Sequence, residues 1–284
     1  MATASLLSIG DELLLGEITD TNMPYISRQL LLLGIPVVGS ETVGDEVSDI
    51  VGAFQRASAR AEIVIATGGL GPPDDDLTAI AVAKMLGVEL EYRHEVMEQM
   101  AARLKRAVTA FTEANKKQAL LPKGAMILRN DWGTAPGIHL KTASGRHIFL
   151  MPGVPREMKG LLGERIIPYL RENFQTGRVI RVKSLHAFGI PESTVGERIK
   201  PQMQAGCNPN VGTRVGGGIV TVRLVGTGAT EEETLEALKP CIEKVREALR
   251  EGLFGEDEQT LAGTTVQALL NQKKTVAIAE SCTA

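Results

Sequence analysis

Two periods of apolar and polar positions alternate along the first half of the chain. Residues 5–9, 35–43 and 63–66 are short apolar, β-branched runs. Between them, residues 21–33 and 45–59 repeat apolar positions at three- and four-residue steps. Gly34 closes the first of these helical stretches. Strands alternating with helices predict an α/β fold built on a doubly wound, mainly parallel sheet. Further helical pattern covers residues 94–107 and 113–120, three strand-like pieces follow at 126–128, 138–140 and 147–150, and a last helix is predicted over 155–173.

The polar, glycine-containing stretch 172–178 marks a boundary, after which the order of elements changes. A strand is predicted over 180–188, a helix over 193–203, a glycine-rich strand pair over 210–225 and a long helix over 231–251, which together describe a small α+β domain. Gly216-Gly217-Gly218 reads as the hairpin turn of the strand pair. Residues 257–284 hold one helix pattern and one apolar run, 275–279. The expected domains are therefore residues 1–172 and 178–254, with 255–284 as a linker and the start of something further.

The chemistry gathers where an apolar run meets a helix. After the strand ending at Ala66 the chain reads Thr67-Gly68-Gly69-Leu70-Gly71-Pro72-Pro73-Asp74-Asp75-Asp76-Leu77-Thr78, and Leu77, Ile80, Ala81, Met85 and Leu86 then recur at helical spacing up to Gly87. Glycines let backbone N–H groups approach a ligand, and a following helix N-terminus favours phosphate. Acids beside a polyphosphate repel it unless a hard divalent cation lies between them. A structural turn needs one cap and one glycine; three glycines and three acids within residues 68–78 exceed that need. The pattern is neither G-x-G-x-x-G nor a P-loop, so the usual dinucleotide and NTPase readings lose support.

Bulk properties narrow the class without choosing within it. The 284 residues suit about two domains, and 43% hydrophobic with 23% charged residues is a globular composition. A net charge of −3 gives no electrostatic reason to expect a nucleic-acid partner. No run reaches the length of a membrane span and no signal segment precedes the first strand, so the cytoplasm is the default expectation. Cys207, Cys241 and Cys282 are odd in number and widely spaced, which suits reduced structural thiols. His94, His139, His147 and His186 show no ligand spacing and read as structural or surface residues.

Three further clusters stand beside predicted strands or turns. Gly10-Asp11-Glu12-Leu13-Leu14-Leu15-Gly16, leading to Asp20-Thr21-Asn22, follows the first strand; Asp20 reads equally as a helix cap and Glu12 as a solvated loop charge. In a doubly wound sheet such a loop lines the same crevice as the glycine-rich one. Asn115-Lys116-Lys117-Gln118-Ala119 and Asn130-Asp131-Trp132-Gly133-Thr134-Ala135-Pro136-Gly137 suit a sugar or phosphate, and suit a plain surface helix and turn as well. Met151-Pro152-Gly153-Val154-Pro155-Arg156-Glu157-Met158 is a second strand, glycine turn and helix start, with Arg156 able to pair with an anion. Two such turns in one sheet suggest a two-part ligand.

Taken together, these segments from Gly10 to Met158 resemble the CinA (competence/damage-inducible) family, whose N-terminal domain shares the molybdopterin-binding fold of the MoaB and Mog proteins. The second domain is similar to the KH-like middle domain of that family, through element order and Val211-Gly212-Thr213. The resemblance implies a metal-dependent ADP-ribose pyrophosphatase, releasing AMP and ribose 5-phosphate in pyridine-nucleotide recycling. It implies catalytic roles for Asp76, Asp75 and Glu12, and a magnesium-like divalent ion placed by Asp75 and Asp76 with Asp20 or Glu12, activating water for in-line attack. Substrate contacts implied are Gly10, Asp11, Asn22, Gly68, Gly69, Leu70, Gly71, Lys117, Gln118, Thr134, Ala135, Pro136, Gly153, Pro155 and Arg156. The family also makes a homodimer plausible.

The chain departs from the family pattern in two places. Where the family usually has threonine and another residue, this chain has Pro73-Asp74, which adds a third carboxylate. Ala279-Glu280-Ser281-Cys282-Thr283 resembles the opening of the family's C-terminal nicotinamide-mononucleotide deamidase domain, with Ser281 at the nucleophile's position. Without a base or oxyanion donors after it, Ser281 is expected to give no deamidase activity, and the remnant is too short to bury its own core. The competing reading is a molybdopterin- or nucleotide-binding module of molybdenum cofactor metabolism. Those relatives carry threonine where this chain has Leu70, and often arginine where it has Asp75, which favours the CinA resemblance. An RNA-binding role for the second domain is disfavoured, since it shows no Gly-x-x-Gly loop between helices with basic residues.

Overall fold

The computed structural model describes residues 2–174 and 177–281, so the thiol of Cys282 and the family resemblance at Thr283 lie outside the described residues. The chain divides into two compact units, Met1–Thr176 and Gly177–Ala284.

The first unit opens with β1 (Ala4–Ile9), α1 (Asp11–Leu14), α2 (Asn22–Leu32), β2 (Val37–Val43), α3 (Val47–Arg60), β3 (Ile63–Thr67) and α4 (Thr78–Leu86). It continues through β4 (Leu90–Tyr92), α5 (His94–Leu104), α6 (Glu113–Lys117), β5 (Leu120–Pro122), β6 (Met126–Leu128), β7 (Gly137–Lys141), β8 (His147–Met151), α7 (Pro155–Leu161) and α8 (Ile167–Asn173). Six strands form one sheet in the order β2-β1-β3-β8-β7-β6. The first four run parallel, with Ile9 beside Val43, Ser8 beside Thr67 and Thr67 beside Met151; β7 and β6 continue the sheet antiparallel. The doubly wound sheet expected from the alternation of periods is present. Because β1, β2, β3 and β8 point the same way, their carboxyl ends share one edge, and the loops that follow them crowd together.

Every residue of β1, β3 and β8 is buried. Such strands have no polar face, because helices cover both sides of a parallel sheet. On one side Leu7, Ile9, Val64, Ala66, Ile148 and Leu150 pack under α3, α4 and α5, with Phe54 and Met97 fully buried. On the other, Ala4, Leu6, Ile63, Ile65 and Phe149 pack under α2, α7 and α8. The predicted helix over 155–173 is interrupted by a π-helical turn, Leu162–Ile166. The insertion keeps Met158, Leu161, Leu162, Ile166, Ile167 and Leu170 all facing the core. The two-stranded pair β4–β5 escaped the sequence pattern, since three-residue strands show no period, and Leu120 belongs to β5 instead of ending a helix. The predicted helix over 94–107 stops at Leu104, where Lys105 takes a left-handed conformation with φ of 52°.

The second unit holds β9 (Val179–Phe188), α9 (Glu192–Arg198), β10 (Asn210–Gly216), β11 (Ile219–Gly228), α10 (Glu231–Leu249), β12 (Leu253–Glu256) and α11 (Leu261–Asn271). Its sheet is antiparallel, ordered β10-β11-β9-β12, and α10 packs on it through Leu238, Val245 and Leu249. Gly217 and Gly218 both have positive φ, 56° and 75°, and make the two-residue hairpin turn between β10 and β11. The helix predicted over 193–203 ends at Arg198 and passes into a 3-10 turn, Lys200–Gln202, around Pro201. β12 was not foreseen, and the apolar run 275–279 takes no regular structure, with Ile278 87% exposed.

His139 and His147 are buried structural residues, as their spacing suggested. They lie diagonally across β7 and β8, His139 opposite Phe149 and His147 opposite Lys141, with His139 Nε2 3.0 Å from His147 Nδ1, and the Tyr169 hydroxyl 3.2 Å from the same nitrogen. His139 also stacks on Phe149 at 4.4 Å between ring centroids. Burial, with help from His147 and Lys141, pushes the His139 pKa down to about 4.

Two outcomes follow. The unfolded chain gains the His139 proton near pH 6.5 and the folded chain only near 4, so stability is full above 6.5 and is lost as pH falls between those values. The denaturant midpoint of the first unit, followed by the emission of Trp132, should fall across that window, and the fall should shrink in His139→Phe. Separately, Phe54→Ala should cost the unit about 3–5 kcal/mol, measured by the same titration, because the ring projects from α3 into the core and is fully buried there.

Candidate functional site

The carboxyl ends of β1, β2, β3 and β8 frame a cleft of about 600 Å³. Its shape begins with backbone. Gly68 has φ of 106°, and a Cβ there would stand 2.0 Å from the Ile9 carbonyl oxygen, so only glycine lets β3 pass so near the end of β1. Gly69 has φ of 65°, and a Cβ there would meet the Thr78 hydroxyl at 2.1 Å. That hydroxyl donates to the Gly68 carbonyl at 2.9 Å, and the Thr78 N–H donates to the Gly69 carbonyl at 3.1 Å, fastening the turn to the start of α4. Gly68 N–H is itself spent on the Met151 carbonyl at 3.0 Å.

Carboxylates dominate the wall. Glu12, Asp20, Asp45, Asp75, Asp76 and Glu157 line the cleft, and among the described residues no lysine or arginine does. Burial raises the Asp76 pKa above the usual carboxylate range; the charges of Asp75 and Asp45 push the same way, against a hydrogen bond from the Gly71 backbone and the charge of Lys117. Burial also raises Asp45, opposed by the Asp11 backbone N–H and reinforced by Asp11, Glu12 and Asp75. The two loops are clasped together, Asp11 N–H donating to Asp45 Oδ2 at 2.9 Å and Asp45 N–H to Asp11 Oδ1 at 3.2 Å. Among the described residues no three acidic, histidine or cysteine side chains stand together as a ready ion cage. The donor chemistry nevertheless fits a hard divalent ion: oxygen ligands only, with mutual repulsion that a cation would relieve.

The residues foreseen from sequence fall into three groups. Gly10, Glu12, Asn22, Gly68, Gly69, Leu70, Gly71, Asp75, Asp76, Gln118, Thr134, Ala135, Gly153 and Pro155 all line the cleft. Asp20 lines it too, yet both its oxygens are engaged: Oδ1 accepts from the N–H groups of Asn22 and Met23 at 2.8 and 3.0 Å, and Oδ2 from the Ser8 hydroxyl at 2.5 Å. It therefore holds the first turn of α2 in place, the capping role its spacing also allowed. Lys117, Pro136, Asp11 and Arg156 stand outside this wall. Lys117 Nζ donates to the carbonyls of Pro73 and Asp74, at 2.6 and 3.0 Å, and so pins the acidic loop by its backbone. Pro136 and Lys117 border a small neighbouring pocket behind Gly71, and Arg156 faces a separate groove with Trp132 and Lys159.

Two buried amides point to a ligand. Asn22 Nδ2 donates to the Gly153 carbonyl at 2.7 Å and Gln118 Nε2 to the Leu70 carbonyl at 3.1 Å, which fixes both orientations. Their oxygens, Asn22 Oδ1 and Gln118 Oε1, are buried without a partner and call for hydrogen-bond donors. Sequence reasoning missed Asp45, and gave Asn130 and Glu157 no role of their own inside the segments it singled out. Asp45 read as the start of a helix; its position one loop from the end of β2, a neighbour of β1, was the available signal. Asn130 shapes the 130–135 turn, accepting from the N–H groups of Trp132 and Gly133 and donating to the Ala135 carbonyl and to Glu157.

Comparison with known proteins agrees with this architecture. Residues 5–172 match the family model described as "Probable molybdopterin binding domain", and residues 182–255 match "Damage-inducible protein CinA KH domain". A CinA-like protein of Dictyoglomus thermophilum is 37% identical over 278 residues, covering 98% of this chain and 67% of that protein. One from Prochlorococcus marinus (strain NATL1A) is 38% identical over 280 residues, covering 99% and 65% respectively. The chain thus spans about two thirds of the length of these relatives. Among solved structures, the CinA protein of Thermoplasma acidophilum superposes with a TM-score of 0.55 at 30% identity, covering 60% of this chain and 96% of that one. The chain belongs to the CinA family, with a molybdopterin-binding-type α/β domain followed by a KH-type antiparallel domain.

Proposed function

We propose that the cleft hydrolyses ADP-ribose to AMP and ribose 5-phosphate with the help of a divalent metal ion. The observation that carries this reading is a wall of six carboxylates with, among the described residues, no lysine or arginine, set against the glycine turn at the end of β3. Such a wall repels a bare diphosphate and accepts one that brings a cation with it. Asp75 and Asp76, together with phosphate oxygens of the ligand, would hold the ion, which when bound neutralises phosphate charge and lowers the pKa of water. The glycine turn keeps its backbone bare at the diphosphate, so close approach costs no steric clash. Asn22 Oδ1 and Gln118 Oε1 accept from hydroxyl groups, which a ribose supplies and a simple inorganic phosphate does not. Burial and the charges of Asp75 and Asp45 raise Asp76 from its ordinary value, a repulsion that a bound cation would relieve.

A second reading has its own support: the domain model matched by residues 5–172 is described as molybdopterin-binding. In that case the cleft binds a pterin or nucleotide and releases nothing.

Incubation of the chain with ADP-ribose and a panel of divalent ions, reading AMP release, separates the two. AMP formed only with metal supports hydrolysis; none with any ion, alongside tight pterin binding, supports the alternative. Asp76→Asn should reduce turnover by at least about 100-fold, because it removes a carboxylate that would hold the ion. The same variant should melt no lower than the parent at pH 7, because it removes a carboxylate that its surroundings hold above the ordinary pKa.

A further inference from the structure

We infer that an apolar corner of the cleft, formed by Leu13, Ile18 and Val154, takes the base of the nucleotide by its faces alone. The inference rests on the diphosphate reading above and gives the ligand a direction: base against the loops after β1 and β8, second sugar against Gln118.

The apolar side chains of the cleft wall are of two kinds. Ile9, Leu70 and Ala135 line it but are only 2%, 8% and 5% exposed, spent on the core. Ile18 and Val154 line it while each is 53% exposed, and Leu13 lines it half-buried. Branched side chains left bare inside a ligand cleft gain by being covered, and a flat heterocycle is a suitable cover. Among the described residues no aromatic ring lines the cleft, so the base is held between aliphatic side chains and not stacked on a ring.

The backbone joins this corner to the acceptor for a sugar. Ile18 N–H donates to the Glu12 carbonyl at 3.4 Å, which folds Ile18 back onto the turn that carries Leu13. Asn22 Nδ2 donates to the Gly153 carbonyl at 2.7 Å, so the loop after β1 meets the loop after β8 one residue from Val154. Asn22 is 8% exposed, and its Oδ1, buried without a partner, is the acceptor nearest that junction. Gly153 in turn lies against the glycine turn, where a Cβ on it would stand 3.5 Å from Gly68 Cα; two residues on, the Leu70 carbonyl accepts from Gln118 Nε2 at 3.1 Å. The order along the cleft is therefore apolar corner, Asn22, glycine turn, Gln118. A nucleoside diphosphate sugar has the same order: base, ribose, diphosphate, second sugar. Leu13, Ile18 and Val154 carry no side-chain donor or acceptor, so the corner reads a base as a flat apolar body and discriminates weakly among bases.

The full chain is dialysed to equilibrium against AMP and, separately, against ribose 5-phosphate, each with magnesium. Ile18→Ser and Val154→Thr, which change exposed side chains, should each weaken AMP binding about fivefold and leave ribose 5-phosphate binding unmoved, while Ile18→Leu should bind AMP as the parent does. A fold defect would not spare one ligand. With ADP-ribose the first two variants should raise KM about fivefold at unchanged kcat, and the guanine counterpart of ADP-ribose should show a KM within about fivefold of it. AMP binding unmoved by either variant, equal weakening of both ligands, no AMP bound at millimolar concentration, or a larger penalty for guanine would overturn the proposal. The enzymatic reading fails separately: AMP held through Ile18 and Val154 without AMP release from ADP-ribose removes hydrolysis alone, and release with KM unmoved by the variants removes the base site alone.

Discussion

The backbone of Gly68 lies so near the end of β1 that any side chain would collide with the Ile9 carbonyl. That close approach brings the loops after β1 and β3 into one crevice, at the point where the sheet is wound outwards in both directions. The hydrogen bond from Gly68 to Met151 draws the β8 loop to the same edge, and Gly153 in turn accepts from Asn22 at the start of α2. Three segments distant in sequence thus share a small set of backbone contacts. The carboxylates occupy their places because the glycines do.

Electrostatics gives the site its direction. Asp45 and Asp76 are held above their ordinary pKa by burial and by neighbouring carboxylates, Asp75 in both cases, so the ligand-free cleft stores repulsion that a cation or a proton relieves. The sheet can hold such a charge because its core does not depend on it. Strands β1, β3 and β8 are buried along their whole length, and each face is closed by a helical layer. Lys117, the nearest cation, is committed to two carbonyls of the acidic loop. It holds the loop's course without occupying the space a ligand needs, and Asp74 contributes to that arrangement through its backbone.

Much of this was legible in the sequence, for identifiable reasons. Fully buried strands such as 63–66 read as unbroken apolar runs, and helices with an apolar stripe and a glycine stop, such as the one ending at Gly87, carry their own period. Glycine and acid clusters directly after such strands revealed the loops of β1, β3 and β8. Some short elements were silent: β4, β5 and β12, of three or four residues each, went unread, although the equally short β6 was foreseen as an apolar piece at 126–128. The direction of long side chains was silent too: Lys117 and Arg156 sit in the segments foreseen, yet turn away from the cleft because local packing, not spacing, aims them. Asp45 was hidden for a third reason, since its importance comes from strand adjacency between β1 and β2 and leaves no mark on its own neighbours in sequence.

The clasp between Asp11 and Asp45 makes the rim and the interior of the cleft a single mechanical element. Each loop is held by an oxygen that a cation would also seek. A cation seated at Asp45 would therefore compete with the backbone N–H that fastens the edge of the cleft. Charge at the floor of the crevice becomes a latch on its mouth.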